Sequence, residues 1–367
     1  MVLTVALAAT GAAFLAQYLL RTTPAPRLTL QPRTYDQLPG WATASAAAAV
    51  PAFVKSCAVL TKRPGHQPLH AAAGADFGRI GEWRPLCAAA ATLPAKDDAA
   101  ARKFFEMAFQ PLLAGNNGAA AGLFTGYFEI VLSGSRRRGG ASQTPLYRKP
   151  ADPARFSRAE IEDGGLAGQG LELLWVDSPV DAFFLEIQGS GVVRLHEGGS
   201  IRVNYAAGNG RPYVAVGRLL LEREIIPRER LTMASLRAWM VANPQDGAAL
   251  RRENPSYVFF RELAGDGPVG SQQVVLTPRH SLAVDRRFIP LGVPIWLDAQ
   301  ERFSSTVHRR LVIAQDTGGA IKGPVRGDLY WGSGDKAGAQ AGAMNARGQY
   351  YVLLPRAVAA RLAQTRR

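Results

Sequence analysis

Residues 311–334, LVIAQDTGGAIKGPVRGDLYWGSG, decide how this chain is read. Leu311, Ile313 and Gln315 alternate with Val312, Ala314 and Asp316 in a short β-branched run, which predicts a strand. Thr317, Gly318 and Gly319 end it, so the Asp316 carboxylate falls where a strand meets a loop. Beyond Lys322 and Gly323 a second extended piece carries Asp328 ahead of the β-formers Leu329, Tyr330 and Trp331. Two acids twelve positions apart, each beside a strand and glycine, can meet across paired strands. Spacing alone favours a turn-capping role for Asp316 and leaves Asp328 open between capping and chemistry.

Working outward, residues 273–276, 281–285, 294–297 and 349–353 read as further short strands separated by turns, with a terminal helix over 355–362. So many short strands in so little chain predict a small barrel, and Asp285 becomes a third acid able to converge on the other two. Upstream, residues 123–130, LFTGYFEI, form a strand that puts Thr125, Tyr127 and Glu129 on one face. That face suits sugar recognition as well as an ordinary cross-strand surface. Residues 183–188 read as a strand leading into Gly189-Ser190-Gly191, a turn too short for a dinucleotide fingerprint. Pro212 opens a helix to about Arg223, Thr232 and Ser157 cap two more, and residues 264–271 form a linker or crossover. Helices are also expected over 44–60, restarting at Pro51, and over 97–109, where Phe105 and Phe109 make a core stripe.

At 367 residues and 47% hydrophobic content the chain buries a large core and is expected to form two domains. Its 38 glycines and 24 prolines favour a turn-rich, mainly β protein with flanking helices. The formal charge of +14 is spread over scattered arginines; residues 136–138 are the only compact run, and no nucleic-acid-binding motif accompanies it. The charge therefore reads as a general attraction to an acidic surface, or as a solvated face. His66 and His70 straddle Pro68 without an acidic or cysteine partner at metal spacing, so neither a metal nor another cofactor is expected.

The first twenty residues are nearly all apolar and give way to Arg21, Pro24 and Pro26, which marks residues 1–26 as a secretory signal or an uncleaved membrane anchor. No cysteine follows closely, which excludes a cysteine-linked lipid anchor. Export would allow Cys57 and Cys87, the only two cysteines, to form a disulfide; two buried thiols that never meet fit the sequence equally well.

AVDRRFIPLG, AQDTGGAIKG and VRGDLYWGSGDKAGAQAG resemble the three-aspartate segment of the MltA family of lytic murein transglycosylases. FTGYFE, EIQGSG, NYAAGNGRPY and NPSYVFF are similar to other blocks of that family in the same order, so the resemblance covers roughly residues 40–360. It implies a double-psi β-barrel built from residues 27–125 and 266–367, with a second β-barrel domain, 126–265, inserted between them and a substrate groove at the junction. It also implies that Asp328 is the catalytic acid with Asp316 and Asp285 in support, and that Thr125, Tyr127, Gln188 and Ser190 belong to the groove. The chain departs from the family pattern at Ile130, where proline is expected, and in lacking the lipoprotein cysteine of some members.

The activity so implied is cleavage of the β-1,4 bond between N-acetylmuramic acid and N-acetylglucosamine in peptidoglycan without water. The sugar's own 6-hydroxyl is the nucleophile, so one carboxyl group suffices where a hydrolase needs two. Glycan strands are the implied partner, other cell-wall enzymes are candidates, and membrane contact is confined to the N-terminal segment of a periplasmic protein. Two rivals stand beside this reading: a noncatalytic, expansin-like glycan binder, and a two-carboxylate hydrolase using Asp328 with Asp316.

Overall fold

The computed structural model describes residues 24–70, 76–265 and 267–364; the apolar leader expected at 1–26 lies almost wholly outside them. The described strands are β1 (Leu28–Pro32), β2 (Phe109–Asn116), β3 (Gly122–Ser135), β4 (Thr144–Tyr147), β5 (Glu172–Val176), β6 (Ser190–Leu195) and β7 (Ser200–Gly208). Then follow β8 (Val258–Leu263), β9 (Ser281–Val284), β10 (Pro294–Glu301), β11 (Val307–Asp316), β12 (Arg326–Ser333) and β13 (Asn345–Pro355). The protein is thus mainly β with helices packed around the strands, as its turn-rich composition predicts.

Strand pairing runs in a cycle. β3 lies beside β12, β12 beside β9, β9 beside β11, β11 beside β10, β10 beside β13, and β13 returns to β3. Closure leaves these strands no open edge. Ile295, Leu297, Val312, Ile313, Leu329 and Val352 are completely buried. β11 is buried at five successive positions from Leu311 to Gln315, the pattern of a strand covered on both faces.

β3 is the long strand that joins two sheets. Its first half pairs with β12 and β13, and its second half, from Ile130, pairs with β6 and β5 in a sheet completed by β4, β7 and β8. One continuous strand therefore carries Thr125 and Tyr127 to the place where the two sheets meet.

Several expectations are corrected. Residues 183–188 lie in a helix, Pro179–Gln188, in which the Ser178 side chain caps Asp181 N and Gly189 closes the end in the left-handed region at φ +78°. Residues 273–276 do not form a strand: Gln273, at φ +63°, donates back to Gly270 O and closes a turn, after which Val275 makes only an isolated bridge with Val269. The helix after Pro212 begins only at Val216, since Asn254 Oδ1 accepts from Val214 N and holds that segment extended. Asp316 and Asp328 are not on paired strands: β9 runs between β11 and β12. The caps expected at Ser157 and Thr232 are present, and Pro51 lies in the first turn of its helix, where a missing N–H costs nothing.

Cys57 and Cys87 form a disulfide joining the helices Val50–Leu60 and Ile80–Ala91, with Cα atoms 5.4 Å apart. Beside it Phe53 packs on Phe104, Phe105 and Phe109, and Trp83 on Phe109. The bridge spans 30 residues of chain. Replacing both cysteines by serine is therefore expected to lower the unfolding free energy by roughly 3.5 kcal/mol through the restored entropy of the unfolded loop. Urea titrations of oxidised protein and variant check this; coincident midpoints would exclude the contribution.

Candidate active site

The parallel pairing of β12 with β3 sets Asp328 opposite Thr125 and Tyr330 opposite Tyr127. Thr125 Oγ1 donates to Asp328 Oδ1 at 2.6 Å, and Arg326 Nη2 donates to Thr125 Oγ1 at 2.8 Å. Asp316, at the end of β11, is held differently. Its Oδ1 accepts from Ser271 N, Ser271 Oγ and Thr317 N, each at 2.9 Å, and its Oδ2 accepts from the Tyr127 hydroxyl at 2.9 Å. The Tyr127 ring packs on that of Tyr330, 5.4 Å away in a buried cluster behind the groove, and the groove itself holds Thr125, Tyr127, Ser271, Asp316, Thr317, Arg326 and Asp328.

These groups share a groove of about 710 Å³ whose walls come from both sheets. Burial pushes the Asp328 carboxyl above the ordinary carboxylate range; Arg326 and the Thr125 hydroxyl oppose that rise and the Asp316 charge adds to it. Burial also raises Asp316, but its four donors all favour the ionised form. Both carboxyls are thus raised by burial; they differ in their partners, since Asp328 accepts from a single donor and Asp316 from four.

Thr125, Tyr127, Gln188 and Ser190 all line the groove. Thr125 and Tyr127 are tied to the two acids, whereas Gln188 spends its carbonyl on Phe128 N at 2.9 Å, fixing the helix end against β3. Asp285 is not among the groove-lining residues. Its Oδ2 accepts from Gly323 N at 2.8 Å and its carboxylate pairs with Arg287 at 2.6 Å, so it clamps the loop between Asp316 and Asp328 rather than joining their acids. Burial opposes these contacts but they prevail, and its carboxyl is held below the usual range. Replacing Asp285 by asparagine is expected to cost about 1–2 kcal/mol of stability at neutral pH while leaving cleavage intact. A depressed carboxylate stabilises above its unfolded pKa and loses that contribution as pH falls through the folded value. The two melting temperatures should therefore converge in acid, and a constant gap down to strong acid would contradict the assignment.

Composition gave no hint of several groove residues. Ser271 sits in the segment expected to be a mere linker, and Val269 in the same segment exchanges hydrogen bonds with Asn204. Tyr213, Met233 and Arg326 also line the groove. Among the described residues no group of three or more His, Cys, Asp or Glu is placed to hold a metal ion.

A mainly β scaffold with a groove between two sheets and two part-buried carboxyl groups within it has the layout of a carbohydrate-cleaving enzyme. Comparison with known proteins narrows the class. The MltA specific insert domain matches residues 123–261 and the 3D domain residues 280–354. The membrane-bound lytic murein transglycosylase A of Vibrio cholerae is 36% identical over 276 residues, 72% of this chain and 72% of that protein. A membrane-bound lytic murein transglycosylase from Agrobacterium tumefaciens has a crystal structure superposing with a TM-score of 0.79 at 29% identity, over 91% of this chain and 99% of the other. The structure of Escherichia coli MltA with bound chitohexaose gives 0.68 at 27% identity, over 91% and 95%. The chain belongs to the MltA family.

Proposed function

We propose that the protein is a lytic transglycosylase that cuts the β-1,4 bond between N-acetylmuramic acid and N-acetylglucosamine and leaves 1,6-anhydromuramyl ends. The observation that carries the mechanism is the unequal treatment of the two acids. Burial raises the proton affinity of both, but Asp328 has one hydrogen-bond donor while Asp316 has four, three on Oδ1 and the Tyr127 hydroxyl on Oδ2. A two-carboxylate hydrolase would need the second acid free to attack the sugar or activate water. Asp316 is committed elsewhere.

In this scheme Asp328 gives its proton to the glycosidic oxygen as the bond from that oxygen to the anomeric carbon breaks. The 6-hydroxyl of the same muramic acid closes onto the anomeric carbon, and its proton passes to the Asp328 carboxylate. No water is consumed and the acid is regenerated. Tyr213, partly exposed at the groove wall, offers aromatic surface for a sugar ring. The formal charge of +14 favours encounter with murein, whose lactyl and stem-peptide carboxylates are acidic.

The cycle of six strands reads as the double-psi barrel, assembled from residues 27–125 and 266–367, with residues 126–265 as the inserted domain. β3 leaves one sheet for the other between Glu129 and Ile130, a few residues beyond the boundary proposed at Thr125. A periplasmic protein held or exported by its apolar N-terminal segment fits the same reading; among the described residues no helix is long and apolar enough to cross a membrane.

Digestion of purified sacculi tests the function. Anhydromuramyl products are expected; reducing ends would indicate hydrolysis, and intact glycan would indicate binding alone.

A further inference from the structure

Arg326 enters the site from the residue two before the acid, on the same strand. Its guanidinium donates to the Leu123 and Gly327 carbonyls through Nη1 and to Thr125 Oγ1 through Nη2. Among the described residues no carboxylate lies within ion-pair distance of it, so the forked cation is held by carbonyls and one hydroxyl. That hydroxyl is the one bonded to Asp328.

A threonine hydroxyl has a single hydrogen and two lone pairs. With an Arg326 N–H occupying a lone pair, the Thr125 hydrogen is directed at Asp328 Oδ1, 2.6 Å away. In a protonated carboxyl group the carbonyl oxygen is the better acceptor, so Oδ1 takes the carbonyl role and the proton resides on Oδ2. After the proton leaves, the same Thr125 hydrogen bond stabilises the carboxylate, now with a positive charge behind it. Both halves of the reaction thus find the hydrogen bond already in place.

We propose that Arg326 is a positioning residue which, acting through the Thr125 hydroxyl, selects Asp328 Oδ2 as the proton-bearing atom and sets how readily that proton is released. The inference rests on the assignment of Asp328 as the acid and adds to it a relay on the β12–β3 pairing that neither the acid nor the groove requires. The ionisable groups facing Asp328 are Arg326 on its own strand, Asp316 on β11, Tyr127 on β3 and Tyr213 on the loop after β7. The other charges nearby are engaged or exposed: Asp285 after β9 with Arg287, Glu129 of β3 with Arg202, Arg158 with Glu186, Arg237 with Asp181, and Arg211, Arg261, Asp335 and Lys336 at the surface.

The test is the pH dependence of kcat and kcat/KM on soluble murein fragments for wild type, Arg326→Gln, Arg326→Lys, Thr125→Val, Thr125→Ser and the Gln/Val double variant, with melting temperatures measured in parallel. Removing the cation should raise the proton affinity of Asp328, so the alkaline limb is expected to move up by about one pH unit. The value of kcat should fall about tenfold, the weight of one charge-assisted hydrogen bond, with KM little changed. Thr125→Val should reproduce the shift, Thr125→Ser and Arg326→Lys should restore most of it, and the double variant should lose no more than the larger single one. An unmoved limb, additive losses, or an effect confined to KM or melting temperature would overturn the proposal. Should Arg326→Gln fail to fold, the valine and serine variants at Thr125 carry the same comparison. Activity retained by an Asp328→Asn variant would instead remove the catalytic assignment itself, which separates the two failures.

Discussion

Asp328→Asn is expected to reduce kcat by roughly 10²–10⁴-fold, the usual contribution of a positioned general acid, while leaving glycan strands bound. Asparagine keeps the shape of the side chain and can still accept from Thr125 Oγ1, so the register of β12 against β3 should survive. What it cannot do is protonate the leaving oxygen. Product release from sacculi and co-sedimentation with them measure the two quantities separately; cleavage at the wild-type rate would refute the assignment.

The wild-type pH profile should carry the same signature. Burial raises the proton affinity of Asp328, so the active, protonated form extends above the ordinary carboxylate range and declines as pH rises through the shifted value. Asp316→Asn is a useful contrast. It removes the charge that helps keep the proton on Asp328, so the alkaline limb should move down rather than up.

Much of this site was legible in the residues. Asp316 and Asp328 stand at strand ends beside glycines, and the period-two alternation put Thr125, Tyr127 and Glu129 on one face, of which the first two bond to the acids. The third member of that face is completely buried, its carboxylate paired with Arg202 at 3.0 Å and bonded by the Ser333 hydroxyl. Spacing did not reveal that β9 would separate the strands bearing the acids, because order within a sheet depends on long-range pairing. Nor did it distinguish the structural clamp at Asp285 from a third groove acid: the partners Arg287 and Gly323 become visible only once the loop is folded.

The misread helix Pro179–Gln188 shows where local pattern fails. Phe183, Phe184 and Ile187 look like strand residues, whereas the decisive signals, Ser178 and Pro179, lie upstream of the apolar run. The helix Asp335–Ala343 escaped notice for the opposite reason. It contains Gly338 and Gly342, poor helix formers, yet a Cβ at Gly338 would lie 2.8 Å from the Phe128 ring. Packing against β3 requires the glycine and overrides its propensity.

The second large effect is expected in the wall of the groove, at Glu186. Its carboxylate takes both arms of Arg158, Nη2 to Oε2 at 2.7 Å and Nη1 to Oε1 at 3.1 Å, and accepts from Val258 N at 3.1 Å. Arg158 is 2% exposed and lies against the Phe183 and Tyr257 rings, so water cannot replace a lost partner. Glu186→Ala would remove the guanidinium's nearer carboxylate, leaving Glu162 at 3.5 Å and the Asn254 and Ser256 carbonyls, and should cost on the order of 3 kcal/mol. The double variant Arg158→Met with Glu186→Leu should be less destabilised than Glu186→Ala, because the damage lies in a buried charge left with only a distant partner rather than in the absence of an ion pair. Glu186 is carried by the helix that ends in Gln188 and is followed by Ser190, both groove residues. Loss of the pair should therefore also raise KM for glycan before it lowers kcat. Denaturant midpoints and initial rates on the folded fraction check the two effects together. If Glu186→Ala unfolds within about 1 kcal/mol of wild type, the pair behaves like an exposed surface salt bridge and the groove wall must be held by the surrounding rings instead.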